Sequence, residues 1–118
     1  MGRLRNYLRV HRRRWHLTQE ELAFLFGYFD QSIIARLECD ERPITLAVAA
    51  ACELIFGCEP REIFPALYEQ IEASVIRRMH ELYDRLEEHS PSQKTAAKLQ
   101  LLSEALARIA NRPEGREV

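Results

Sequence analysis

Six arginines, Arg3, Arg5, Arg9, Arg12, Arg13 and Arg14, fall within residues 1–16, a segment that holds no acid. Guanidinium groups at this density suit the oxygens of a polyanion. The body of the chain opposes them: residues 17–64 carry three arginines against nine acids, and the 118-residue chain as a whole has a formal charge of -1. A basic opening on an acidic body points to a localised polyanion contact, not a basic surface all round. The alternative is a solvated helix face with an arginine bias.

Other chemistries find little support. The four histidines, His11, His16, His80 and His89, show no metal spacing with cysteine or carboxylate, and HELYD lacks the second histidine of a zinc-protease helix. Cys39, Cys52 and Cys58 form an odd set without a C-x-x-C pair, so the expectation is three reduced, structural thiols and no disulfide framework. There is no glycine-rich phosphate loop and no nucleophile elbow. The residues therefore predict no enzyme, no metal and no cofactor. No apolar run approaches the length of a bilayer crossing, and MGRLRNYLRVHRRRW lacks the apolar segment of a signal peptide. The expectation is a cytoplasmic chain with no membrane partner.

The elements that must position these residues are helices. Leu4, Tyr7, Leu8 and His11 have the i, i+3, i+4, i+7 spacing of one buried face, which predicts a first helix ending near Arg14 with His11 inward. Thr18 and Glu21 form a capping-box pair, so a second helix starts at Gln19, carries Leu22, Ala23 and Phe26 inward, and ends at Gly27. A third runs from Asp30 or Gln31 to Cys39 with Ile34 and Leu37 inward. Thr45 caps a fourth that extends through Phe56 and is closed by Gly57. Pro60 opens a short fifth, which Pro65 stops. Residues 68–88 then read as a helix with Ile71, Val75, Met79, Leu82 and Leu86 on one side. Ser92 caps a last helix ending near Ala110, with Leu99, Leu102, Leu106 and Ile109 at 3-4-3 spacing. The fold class is all-α: five helices in residues 1–66, a two-helix hairpin in 67–111 and a frayed tail in 112–118.

The strings LTQEELA, IARLE, RPITLAVAAACELIFG and CEPREIF give this order a specific likeness. Over residues 4–66 the chain resembles the Cro/cI-type helix-turn-helix family, also called the xenobiotic-response-element family, whose members share the five-helix lambda-repressor-like fold. The resemblance implies that Leu8, Leu17, Leu22, Ala23, Ile34, Leu37, Leu46, Cys52, Phe56, Ile63 and Phe64 occupy core positions. It implies an ion pair between Arg12 and Glu38 that sets register. It places Gln19 at a phosphate. With Ile34 as the buried anchor of the third helix, it places Gln31, Ser32 and Arg36 at base edges, where glutamine suits adenine and arginine suits guanine. Arg13 and Arg14, at the end of the first helix, are expected to add phosphate contacts, with Arg3, Arg5 and Arg9 following a strand.

Two features depart from the family pattern. The turn after Gly27 holds one residue more than the common spacing, so either Ile33 or Ile34 can be the anchor, and the choice rotates the reading face by about 100°. The loop Cys39-Asp40-Glu41-Arg42 is acidic where many relatives are basic or carry glycine, which weakens non-specific attraction to phosphate. Within FGYFD, Phe26 with Phe29 or Tyr28 is expected to wedge the two helices into a fixed angle. Trp15 is expected to pack rather than stack on a base. The resemblance implies a double-stranded-DNA-binding transcriptional regulator, a repressor by default, acting as a homodimer through its C-terminal hairpin. The rival expectation is a protein-interaction module, an antitoxin or adaptor, that meets a protein through its acidic surface and aromatic turn.

Overall fold

The computed structural model describes residues 6–113. Leu4, Arg3 and Arg5, assigned above to the first helix and to strand contacts, lie outside the described residues. Within them the chain is all-helical: α1 (Leu8–Arg14), α2 (Gln19–Phe26), α3 (Ser32–Glu38), α4 (Leu46–Phe56), α5 (Pro60–Ile63), α6 (Pro65–Glu87) and α7 (Gln93–Ala110). The chain divides into two compact units, residues 1–70 and 71–118.

Helix ends in the first unit follow local chemistry. Thr18 Oγ1 accepts the Glu21 amide at 3.0 Å, and Glu21 Oε1 accepts the Thr18 amide at 2.9 Å, which completes the capping box of α2. Gly27, at φ 86°, closes α2 in the left-handed region, and Gly57, at φ 71°, closes α4. Thr45 Oγ1 accepts the Val48 amide at the start of α4. The opening of α1 differs from expectation. Asn6 Oδ1 accepts the Leu8 amide at 2.9 Å, so the helix begins at Leu8 and Tyr7 stays outside it.

The core gathers Leu8, Leu22, Ala23, Ile34, Leu37, Val48, Cys52, Ile63 and Phe64, with Leu17 and Phe56 partly buried against it. Leu46 is a correction: at 85% exposed it takes no part in the core, because Val48, Ala49 and Cys52 supply the inward face of α4. Trp15 is a second. It caps the C-terminus of α1 and is 64% exposed, so its expected packing is no more than contact along the edge of a groove. Pro65 is a third. It opens α6 instead of only stopping α5, and Leu67 and Tyr68 of that helix pack on the first core, which moves the boundary from 66 to Gln70.

In the second unit Ser92 Oγ accepts the Thr95 amide at 3.1 Å and caps α7. Arg112 makes two hydrogen bonds to the Glu72 carboxylate, at 3.0 and 3.2 Å, which returns the end of α7 to the start of the hairpin. Leu86 and Leu102 are the buried apolar residues described in this unit, while Ile71, Val75 and Leu82 remain about half-exposed. No helix of the described residues is long and apolar enough to cross a membrane.

Candidate functional site

The site is α3 and what holds it. Its inward face is Ile34, Leu37 and Glu38, all buried, while Ile33 is only partly so. Ile34 is therefore the anchor. On that register Gln31 and Arg36 are exposed, and Ser32 is half-buried between them. Ser32 and Arg36 are one helical turn apart and share a shoulder, with Gln31 at its N-terminal end.

Asp30 fixes that end. Its Oδ1 accepts the Ser32 amide at 2.9 Å, and Ile33 N–H donates to the Asp30 carbonyl at 3.1 Å. The Ser32 backbone N–H, and then the Ser32 hydroxyl, hold the Asp30 carboxyl below its ordinary value, with Arg36 adding a weaker pull. The other end closes on Asp40, a non-glycine residue at φ 62°. The Glu41 amide donates to the Arg36 carbonyl and the Asp40 amide to that of Leu37, the pattern of a Schellman close. Asn6 Nδ2 donates to both the Leu37 carbonyl and Asp40 Oδ1, at 2.8 and 2.9 Å. That clamp explains how an aspartate tolerates the left-handed conformation here.

Behind the shoulder stands a charged cluster. Arg12 Nε lies 2.6 Å from Glu38 Oε2 and Nη2 lies 3.3 Å from Oε1, while Nη1 donates to the Leu17 carbonyl at 2.9 Å. Arg9 Nε and Gln19 Nε2 each reach Glu38 Oε1 at 3.3 Å. Burial pushes the Glu38 carboxyl up, but the hydrogen bonds from Arg12, Gln19 and Arg9 outweigh it and hold it below its ordinary value. No buried side-chain nitrogen or oxygen among the described residues lacks a partner. One carboxylate thus keys α1, the start of α2 and the end of α3 to a single arrangement.

The structure does not bring all the expected residues together. Gln19 turns its amide to Glu38, so that group is engaged inside the protein. Arg13 and Arg14 are exposed in the last turn of α1, where Arg14 lies roughly 200° around the helix from Arg12 and so faces away from Glu38. Arg42 of the acidic loop lies over the Tyr28 ring at 5.5 Å from the centroid. Tyr28 in turn meets Phe26 edge-on at 6.4 Å, so these two aromatics form the wedge, and Phe29 does not. Sequence reasoning missed Asn6 and gave Arg9 a strand contact instead of its bond to Glu38; neither lies near its partner in sequence, and no local pattern marks the pairing.

Cys52 and His11 have structural settings. Burial pushes the Cys52 thiol up to about 12, which suppresses a nucleophilic thiolate. The His11 ring lies 5.6 Å from that of Phe56, tilted by 55°. Among the described residues no group of three or more His, Cys, Asp and Glu is placed to hold a metal ion.

Compared with known proteins, the chain matches no family model, no curated protein and no solved structure.

Proposed function

We propose that this chain is a non-enzymatic, sequence-specific reader of double-stranded DNA, a cytoplasmic helix-turn-helix regulator of the Cro/cI type that represses by occupying a promoter. In this reading α2 and α3 are the two helices of the motif, and α3 enters the major groove with Gln31, Ser32 and Arg36 at base edges. The observation that carries it is the division of α3 into two faces. One face is keyed to the domain by Ile34, Leu37 and Glu38, and the other presents Gln31 and Arg36 to solvent at a fixed angle. A rigid helix carrying one amide suited to adenine and one guanidinium suited to guanine fits the needs of direct readout.

The charge distribution supports a reader with little non-specific affinity. Asp30, Asp40 and Glu41 flank α3 and repel phosphate, so binding depends on base contacts more than on counterion release. Readers of this size gain affinity by pairing half-sites. The exposed row Ile71, Val75 and Leu82 on α6 supports a homodimer through the hairpin. Enrichment of duplexes from a random genomic pool tests the reading: a recurring motif is expected, and an unenriched pool contradicts it.

A second reading rests on a different surface. Trp15, Leu17, Leu25, Ile55 and Phe56 line an open groove of about 300 Å³, and Phe24 and Leu54 are also exposed. An apolar surface of this kind beside the acidic 17–64 segment suits a protein partner, as an antitoxin or adaptor would need. Leu25→Lys separates the two readings, since it should abolish partner binding and leave DNA binding intact.

A further inference from the structure

The turn between α2 and α3 carries one residue beyond the common spacing and, within it, an aromatic ring that packs on nothing in the domain. Tyr28 is anchored by its amide on the Ala23 carbonyl at 2.8 Å, by its edge contact with Phe26 and by Arg42 over its face. Asp30 is anchored by its carboxylate on the Ser32 amide. Phe29 lies between these two fixed residues, and its side chain is fully in solvent, at 107% exposure. The backbone thus holds a large apolar ring in place without burying it, forgoing the burial that ordinarily stabilises phenylalanine.

We propose that Phe29 is a base-reading residue, packing on the C5-methyl group of a thymine beside the base pair read by Gln31. The proposal rests on the DNA-reading function and adds a specificity determinant to it. Phe29 precedes Gln31 by two residues, at the N-terminal end of α3, the end of a recognition helix that meets base edges. The adjacent Asp30 carboxylate disfavours a phosphate contact at this point. The thymine methyl is the apolar group on the major-groove edges of the bases, and it needs no polar partner. The extra turn residue then has a role: it carries the ring outward while Ile34 keeps its place in the core.

The test uses the duplex enriched by the full-length protein from a random pool, with each thymine replaced singly by deoxyuridine, which removes only the methyl group. For the wild-type chain, one or two positions are expected to lose about fourfold in affinity, the scale of burying one methyl group. Phe29→Ala should bind the parent duplex more weakly by a similar factor and show no further loss at those positions. Phe29→Leu should restore the methyl dependence. Because the ring is exposed, Phe29→Ala should melt with the wild type, and a lowered melting point would contradict its free placement. A flat deoxyuridine profile, or an identical profile for wild type and Phe29→Ala, overturns this inference alone. Failure to enrich any duplex overturns it together with the DNA-reading function.

Discussion

Arg12 and Glu38 meet inside the first unit with the guanidinium spanning both carboxylate oxygens, at 2.6 and 3.3 Å, and neither side chain is open to solvent to any useful degree. A pair of this kind is costly to break and cheap to replace as a whole. Glu38→Ala leaves Arg12 buried without its counter-ion and is expected to cost about 3–5 kcal/mol, a large part of the total stability of a small domain. The double variant Arg12→Leu with Glu38→Leu should recover most of that loss. Urea unfolding of the two single variants and the double variant measures it, and a double variant as unstable as the sum of the singles would show that the pair does not act as a unit.

On the acid side, the pH dependence of stability should include a His11 step and a Glu38 step of the same sign, with Asp30 adding to the second. The His11 pKa is lowered from its ordinary value of 6.5 by burial and by Arg14, against a weaker pull from Glu62. The unfolded chain therefore takes up this proton first, and stability falls as pH drops below about 6.5. The Glu38 pKa is also lowered, so its contribution is complete above the ordinary 4.5 and is lost as pH falls through the folded value. His11→Gln should flatten the dependence between about pH 7.5 and about pH 5.5 and leave the acid step in place. Unfolding curves at those pH values check it, and an unchanged slope in the variant would contradict the assignment.

Gly27→Ala isolates a backbone effect. A Cβ built at Gly27 meets nothing within 4 Å, so there is no clash, and the cost comes only from holding alanine at φ 86°. A loss of about 1–2 kcal/mol is expected, seen as a lower urea midpoint with an unchanged m-value. No loss would mean that the α2–α3 turn relaxes to another conformation.

What was legible in the sequence was what neighbouring residues decide. The Thr18–Glu21 box, Gly27, the Thr45 and Gly57 ends of α4 and the Ser92 cap all involve groups within four positions, so residue type and spacing suffice to place them. Pro65 misled because proline suits both the residue after one helix and the first turn of the next; the packing of Leu67 and Tyr68 decides between them. The site was legible in part. Burial selects Ile34 over Ile33, and with it the shoulder of Gln31, Ser32 and Arg36. The capture of Gln19 and Arg9 by Glu38, the Asn6 clamp on Asp40 and the exposure of Phe29 and Leu46 depend on partners 19 to 34 residues away or on which face a neighbouring helix covers. No local pattern encodes those.

The hairpin makes an independent prediction about assembly. Ile71, Val75 and Leu82 are half-exposed on α6, and a second copy covering them would bury that row. Sedimentation at micromolar concentration should give the mass of two chains for the wild type and of one chain for Ile71→Glu with Val75→Glu, at equal helix content. A one-chain mass for the wild type would refute the dimer.

The most direct measurement is the base preference of the wild type against Gln31→Ala and Arg36→Ala, each selected on a randomised duplex and titrated at fixed salt. Each variant is expected to lose about 1–3 kcal/mol of discrimination at one base pair, adenine for Gln31 and guanine for Arg36, and to keep its preferences elsewhere. If the wild type enriches no motif, and low-salt affinity is the same in both variants, α3 is not a base-reading helix.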